Sequence, residues 1–197
     1  MSSLESQFGN PKGVLGQVVG ILMAVTNRGR NAWTIELLNI QPCDRILEVG
    51  FGSGVTIQLL SRIAVDGFIA GIDRSETMVQ QASYRNASAI RQGQVELKHG
   101  SVAHLPYGNE SFDKAFASNS HFFWSEPIEC LKELRRVLKP DGLIALSWQP
   151  LWAKTEAMVK ESADQAVQQL TAAGFRQVRL ESKLMKPVIG ICALGVK

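Results

Sequence analysis

The glycine-rich segment at residues 45–60, RILEVGFGSGVTIQLL, constrains the fold of this chain more than any other stretch. Gly50, Gly52 and Gly54 follow a short apolar run and precede residues with helical apolar spacing. Because glycine carries no side chain and tolerates positive φ, such a loop lets the backbone approach a ligand closely. In open parallel α/β sheets, ligands bind at the carboxyl ends of strands. The segment therefore predicts a strand, a ligand-binding loop and a helix in succession.

The remainder of the chain alternates short apolar runs with longer helical patterns, which is typical of a parallel sheet covered by helices on both faces. The helical patterns include Val55, Leu59, Leu60 and Ile63 in one stripe, and Ile128, Leu131, Leu134 and Leu138 in another. Only SKLMKP separates the last two strands, so they form a hairpin and the final strand is antiparallel to its neighbour. The predicted strands are 45–49, 67–73, 94–98, 112–118, 143–148, 176–182 and 188–196.

The amino-terminal residues precede this alternation and are predicted to be helical. Asn10 and Pro11 resemble a helix start, and apolar residues continue the pattern to about Asn27. A second short helix is predicted over 32–39. We expect residues 1–40 to form a helical lid and residues 41–197 to form the ligand-binding domain, within a single globular unit.

Composition excludes several classes of protein. Hydrophobic residues make up 45% of the 197 residues and the net charge is only +3, so a dedicated nucleic-acid binder is not expected. The three cysteines are widely spaced without a CxxC pair, which disfavours a disulfide framework or a metal site and fits a reducing compartment. Apolar runs are far shorter than the roughly 20 residues of a membrane-spanning helix. We predict a cytoplasmic protein, with peripheral membrane contact left open.

Glu48 and Asp73 indicate which ligand the glycine loop holds. The dinucleotide fingerprint needs a small residue where Val55 stands, and the Glu48 carboxylate would repel a pyrophosphate. A carboxylate at that place instead attracts an ammonium or sulfonium group. Asp73, about 20 residues beyond the glycines, could accept hydrogen bonds from both ribose hydroxyls. S-adenosylmethionine carries all of these groups, whereas a nicotinamide dinucleotide does not fit the pattern.

Four ordered motifs resemble those of class I S-adenosylmethionine-dependent methyltransferases over about residues 40–150. They are ILEVGFGSG, GIDRSETMV, VELKHGSVAHLPYGNESFDKAFASNS and LKELRRVLKPDGLIALSW. The chain is most similar to the small-molecule branch that includes ubiquinone and menaquinone biosynthesis methyltransferases. This resemblance implies an α/β, Rossmann-like three-layer sandwich whose seven-stranded sheet is mostly parallel and ends with an antiparallel strand.

The resemblance also implies roles for individual residues. The glycine loop would surround the methionine part of the cofactor, Asp73 would hold the ribose, and the segment after the fourth strand would flank the methyl group. Ser101 departs from the family pattern, in which an aspartate often bonds the adenine amino group. The cofactor-binding residues implied are Glu48, Gly50, Phe51, Gly52, Gly54, Asp73, Arg74, Met78, Ser101, Val102, Asn119 and Ser120.

His121 is the candidate catalytic residue, because an imidazole after the fourth strand could deprotonate a phenol or an amine. The alternative is a loop histidine that orders the local structure; His99 and His104 are interpreted in that way. Trp33, Trp148 and Trp152 could form an apolar wall. We expect transfer of a methyl group to a small apolar or aromatic acceptor, with S-adenosylhomocysteine as the product and no metal. The alternative is a cofactor-binding protein that is inactive or depends on a partner for activity.

Overall fold

The fold is an α/β sandwich, described by a computed structural model over residues 28–197. Strands and helices alternate along most of this range, as the apolar patterns predict. The elements in chain order are α1 (Arg28–Leu38), β1 (Arg45–Val49), α2 (Val55–Ile63), β2 (Phe68–Asp73), α3 (Glu76–Arg85), α4 (Ala87–Arg91), β3 (Val95–His99), β4 (Phe112–Ser118), a 3-10 helix (His121–Phe123), α5 (Pro127–Val137), β5 (Leu138–Trp148), α6 (Glu156–Ala172), β6 (Arg176–Lys183) and β7 (Gly190–Val196).

The seven strands form one sheet in the order β3-β2-β1-β4-β5-β7-β6. The pairs among β1 to β5 are parallel, whereas β7 runs antiparallel to both β5 and β6. The predicted fold class and the predicted closing hairpin are thereby confirmed. Strand order reverses between β1 and β4, and the carboxyl ends on either side of such a reversal leave a crevice suited to a ligand.

Two apolar cores lie on opposite faces of this sheet, because alternate strand residues point to opposite sides. In β5, Ile144 and Leu146 belong to one core, whereas Ala145 between them belongs to the other. The first core is covered by α5 and α6. The second is covered by α1, α2 and α3. Helices therefore cover both faces of the sheet, and a ligand can reach it only at the ends of the strands.

Several element boundaries differ from those predicted. The helix expected over 32–39 begins at Arg28, and Leu138 opens β5 instead of closing the preceding helix. Leu59 and Ile128, predicted on buried helix stripes, are exposed. For Leu59, the reason is that the buried stripe of α2 runs through Thr56, Ile57 and Leu60. A prediction that counts only apolar residues leaves Thr56 out of that stripe. The helix predicted over 11–27 and most of the expected lid lie outside the described residues.

Within residues 28–197, no helix combines the length and the apolar character needed to cross a membrane.

Candidate functional site

The glycine loop turns sharply at the end of β1. Gly50, Gly52 and Gly54 all have positive φ, at 75°, 53° and 74°, a region that favours glycine. A Cβ atom on Gly50 would lie 2.4 Å from the Cβ of Ser120, whose hydroxyl donates to the Val49 carbonyl at 2.7 Å. The loop therefore packs directly against the segment that follows β4.

Gly54, predicted to bind the cofactor, is not among the described residues that line the cavity beside the loop. A Cβ atom there would lie 2.6 Å from Ala82 Cβ and 2.7 Å from the Asn86 amide nitrogen. The Asn86 amide also donates to the Gly54 carbonyl at 3.1 Å. Gly54 thus lets α2 begin close against α3.

The cavity has a volume of about 410 Å³, within the range of small-molecule sites. It lies at the carboxyl ends of β1, β2 and β4. Eleven of the predicted cofactor-binding residues line it together, namely Glu48, Gly50, Phe51, Gly52, Asp73, Arg74, Met78, Ser101, Val102, Asn119 and Ser120.

Asp73 is held rigidly at the end of β2. Its two carboxylate oxygens accept hydrogen bonds from the backbone N–H groups of Gly52 and Ser75, each at 2.9 Å. Burial raises the pKa of Asp73, and these two bonds oppose that rise. A carboxylate offers about four acceptor positions, so two remain for hydroxyl groups of a ligand.

Glu48 lies buried at the end of β1 with one carboxylate oxygen unsatisfied. Burial, and then the charge of Asp73, raise the pKa of Glu48 to about 8, while a hydrogen bond with Thr56 lowers it in part. Its Oε2 atom is buried without a hydrogen-bond partner in residues 28–197. The acid is therefore mostly protonated at neutral pH.

Arg30 is the site residue that sequence reasoning missed. This side chain of α1 is 2% exposed and lines the cavity, and burial lowers its pKa to about 10. Its Nε donates to Ser118 Oγ at 3.1 Å, yet Nη1 and Nη2 are buried without partners in the described part of the chain. A buried arginine with two nitrogens left unpaired indicates a functional site, because buried charges are normally paired.

The hydroxyls around Arg30 form a connected network that reaches Glu48. Ser118 Oγ donates to Asn31 Oδ1 at 2.8 Å, and the Asn31 amide donates to Thr56 Oγ1 at 2.7 Å. Thr56 in turn bonds Glu48. The network therefore links the two groups, which line the same cavity without being paired to each other.

The far end of the cavity is formed by residues after β2 and β3. Met78 and Val102 are buried, whereas Arg74 and Ser101 are exposed. The Ser101 hydroxyl accepts from the backbone N–H of Ala103 at 3.2 Å and keeps its own O–H for donation. This end offers two apolar side chains and a neutral hydroxyl to a flat ring.

A second cavity of about 520 Å³ adjoins the first, with Asn119 and Phe123 in the wall of both. Trp152, predicted to form part of an apolar wall, lines this second cavity. Trp33 and Trp148 do not belong to that wall, because both are buried in the cores on opposite faces of the sheet. The prediction was wrong for these two tryptophans because sequence spacing does not reveal which side of a sheet a ring reaches.

His121 lies behind the second cavity and is not among the described residues lining either one. Its ring centroid is 3.9 Å from that of Phe122 and 5.2 Å from that of Trp148. Burial lowers its pKa to about 3, and both ring nitrogens are buried without partners among residues 28–197. An imidazole with so low a pKa is neutral and a weak base, and it lines neither of the two cavities.

Metal ligation finds no support in the described range, where no three His, Cys, Asp or Glu side chains cluster. His99 follows its structural interpretation, because its Nε2 lies 3.1 Å from the Arg74 carbonyl oxygen.

Known proteins resemble this chain in sequence and in fold. A family model described as a methyltransferase domain matches residues 47–146. Uncharacterized methyltransferase YdaC of Bacillus subtilis (strain 168) is 33% identical over 181 residues, which cover 91% of this chain and 98% of that protein. Demethylmenaquinone methyltransferase of Lactobacillus johnsonii is 28% identical over 131 residues, which cover 66% of this chain and 54% of that protein. A SAM dependent methyltransferase from Aquifex aeolicus has the same fold, with a TM-score of 0.67 at 22% identity over 84% of this chain and 88% of that one.

Proposed function

Because this chain belongs to the methyltransferase domain family, we propose that it binds S-adenosylmethionine in the cavity beside the glycine loop and methylates a small acceptor. When bound, the cofactor supplies a methyl group attached to a sulfonium, and the neutral thioether that remains is a good leaving group. The protein then has to bind the cofactor, orient the acceptor and exclude water.

One observation carries the proposal. The Glu48 carboxyl, an acid that can ionise, and the positively charged Arg30 guanidinium are both buried and line the same cavity, and each has polar atoms without a partner in residues 28–197. Buried charged groups are costly when unpaired, so both are completed by a ligand that brings the opposite charges. An α-amino acid zwitterion does so, with its ammonium at Glu48 and its carboxylate at Arg30. S-adenosylmethionine ends in such a group.

The other residues of the cavity suit the rest of the molecule. The two remaining acceptor positions of Asp73 would take the vicinal ribose hydroxyls, and the glycine loop leaves room beside them. Met78 and Val102 would pack against the adenine faces, and Ser101 would bond its edge. Ser101 lacks the charge of an aspartate, so we expect weaker adenine recognition than an acid would give.

The methyl group would face the junction of the two cavities, at Asn119 and Phe123. Asn119 is held there by two contacts: its N–H donates to the Ser147 carbonyl at 2.9 Å, and its Oδ1 accepts from the Gln149 N–H at 3.2 Å. We assign His121 a packing role behind Phe122 in place of the predicted general base. The acceptor would then lose its proton to solvent, without a protein side chain as the base.

The test compares two nucleosides that differ in the amino-acid part. S-adenosylhomocysteine and 5′-methylthioadenosine share the adenosine and the thioether, but only the former has the zwitterion. In calorimetric titrations we expect micromolar binding of S-adenosylhomocysteine and at least thirtyfold weaker binding of methylthioadenosine. Equal affinities, or binding of NAD in their place, would refute the assigned site.

Catalysis itself is tested by turnover. Formation of S-adenosylhomocysteine with a panel of amines, phenols and quinols distinguishes an enzyme from the inactive or partner-dependent alternative. A protein that binds the cofactor and methylates nothing in that panel would favour the alternative.

A further inference from the structure

We propose that the second cavity is the acceptor site and that it selects a small amine attached to an apolar or aromatic body. The proposal rests on the proposed function, because it identifies the acceptor of that same reaction. The cavity of about 520 Å³ shares Asn119 and Phe123 with the lining of the cofactor cavity, so a molecule seated there would lie next to the expected position of the methyl group.

The walls of this acceptor cavity combine exposed aromatic and aliphatic side chains. Phe122 and Trp152 meet edge to face, with ring centroids 4.6 Å apart, and they are 40% and 47% exposed. Phe123, Leu151 and Met158 complete the apolar surface, at 45%, 62% and 38% exposure. Apolar residues exposed together in one concave surface indicate a binding site, whereas single ones do not.

The charge of the cavity distinguishes among apolar acceptors. Glu161, on the second turn of α6, is the one charged residue among the described residues that line it. Within residues 28–197 its carboxylate has no ion pair: Lys160 beside it pairs with Asp164 instead. A free carboxylate beside aromatic rings complements an ammonium group, which also interacts favourably with ring faces. A carboxylate-bearing acceptor would be repelled.

The reaction balances without a further reagent. The amine binds as the ammonium and loses one proton to solvent, and its nitrogen lone pair forms the new N–C bond. The S–C bond of the sulfonium breaks as that bond forms, and its electron pair stays on sulfur as the neutral thioether. The product is a methylated ammonium ion, which carries the positive charge that the sulfonium loses.

The experiment uses three ligands with the same phenylalkyl body: 2-phenylethylamine, 2-phenylethanol and 3-phenylpropionate. Each is titrated into the full chain with and without saturating S-adenosylhomocysteine, and turnover is measured separately. We expect the amine to bind about tenfold more tightly than the carboxylate, since attraction and repulsion by one charge add. We also expect methylation of the amine.

Two variants on α6 form a matched pair. Glu161→Gln should weaken binding of the amine by up to about fivefold and leave binding of the alcohol unchanged, because Glu161 is exposed and an exposed ion pair contributes at most about 1 kcal/mol. Glu156→Gln, on the same helix and outside the acceptor cavity, should change neither. Trp152→Ala should weaken the binding of all three ligands.

The outcomes separate the two proposals. If the protein does not bind S-adenosylhomocysteine, the proposed function is refuted. The titrations of the three ligands in the absence of S-adenosylhomocysteine would still test the acceptor cavity. Intact S-adenosylhomocysteine binding with no preference for the amine, or with an unchanged Glu161→Gln variant, would overturn the amine assignment alone.

Discussion

Replacement of Arg30 with methionine should strengthen the ligand-free fold and weaken cofactor binding. The lowered pKa of Arg30, about 10 against 12.5, corresponds to a cost of about 3 kcal/mol for holding the charge in the folded protein. Methionine removes that cost and keeps most of the buried volume. It also removes the hydrogen bond from Nε to Ser118, which is worth about 1 kcal/mol. The net expectation is a gain of roughly 1–2 kcal/mol in the free energy of unfolding.

Cofactor binding should change in the opposite direction. If Nη1 and Nη2 receive the carboxylate of the amino-acid part, their loss leaves that carboxylate buried without a partner. Truncation of a buried charge pair costs about 2–4 kcal/mol, or roughly a 30- to 1,000-fold rise in the Kd for S-adenosylhomocysteine. The affinity for 5′-methylthioadenosine, which lacks the carboxylate, should remain within about threefold of wild type.

Arg136 provides the matched control. It is paired with Glu133 at 2.7 Å and with the Tyr107 carbonyl at 2.9 Å, and it lies outside the described lining of both cavities. Arg136→Met should therefore lower stability by about 1–2 kcal/mol and leave S-adenosylhomocysteine binding unchanged. Urea unfolding without ligand and calorimetric titration measure both quantities. An Arg30→Met variant that unfolds more easily and binds normally would show that Arg30 is a structural residue.

Three further predictions concern His121, Gly50 and Glu48. His121→Phe should keep kcat within about threefold, whereas removal of a general base would cost roughly a hundredfold or more. Because burial lowers the pKa of His121 to about 3, wild type should lose about 1.4 kcal/mol relative to His121→Phe between about pH 7.5 and 5.5; an equal pH dependence of unfolding would contradict the burial argument. Gly50→Ala should destabilise the fold by about 2 kcal/mol more than Gly93→Ala, since both have positive φ but only Gly50 faces Ser120; equal losses would contradict the close approach. Because the pKa of Glu48 is raised to about 8, ammonium binding displaces a proton from its carboxyl. As the pH is raised toward 8, the affinity for S-adenosylhomocysteine should increase by up to about tenfold per pH unit, and above pH 8 it should level off. Glu48→Gln should abolish that slope, and a flat wild-type profile would exclude Glu48 as the ammonium partner.

Local chemistry accounts for what could be predicted from the sequence. The bounds of β1 and β4 match the predicted strands, and those of β2, β3, β6 and β7 differ by at most two residues at either end. Turn residues and period-2 apolar runs specify such boundaries within a few residues of chain. The positive φ of the three loop glycines follows from the same local reasoning, because the turn needs backbone conformations that other residues adopt with strain.

Side-chain environments could not be predicted in that way, because they depend on residues far apart in the chain. Arg30 meets Ser118 across 88 positions, and Ser120 meets Val49 across 71. His121 stands at the expected place after β4, yet the packing of Trp148 and Phe122 buries its ring. Gly54 stands in the expected loop, yet the approach of α3 makes it a packing residue.

The sequence by itself determined the alternation of strands and helices, the closing hairpin, the glycine turn and the acids at two strand ends. Each of these depends on neighbours within a few residues, where spacing and backbone preferences decide the outcome. Only the tertiary structure decided that a buried arginine lines the same cavity as Glu48, that His121 lines neither described cavity, and that a second cavity lined by one carboxylate lies next to the first. Burial and pairing of charge depend on which distant elements meet, and desolvation acts only once they have met.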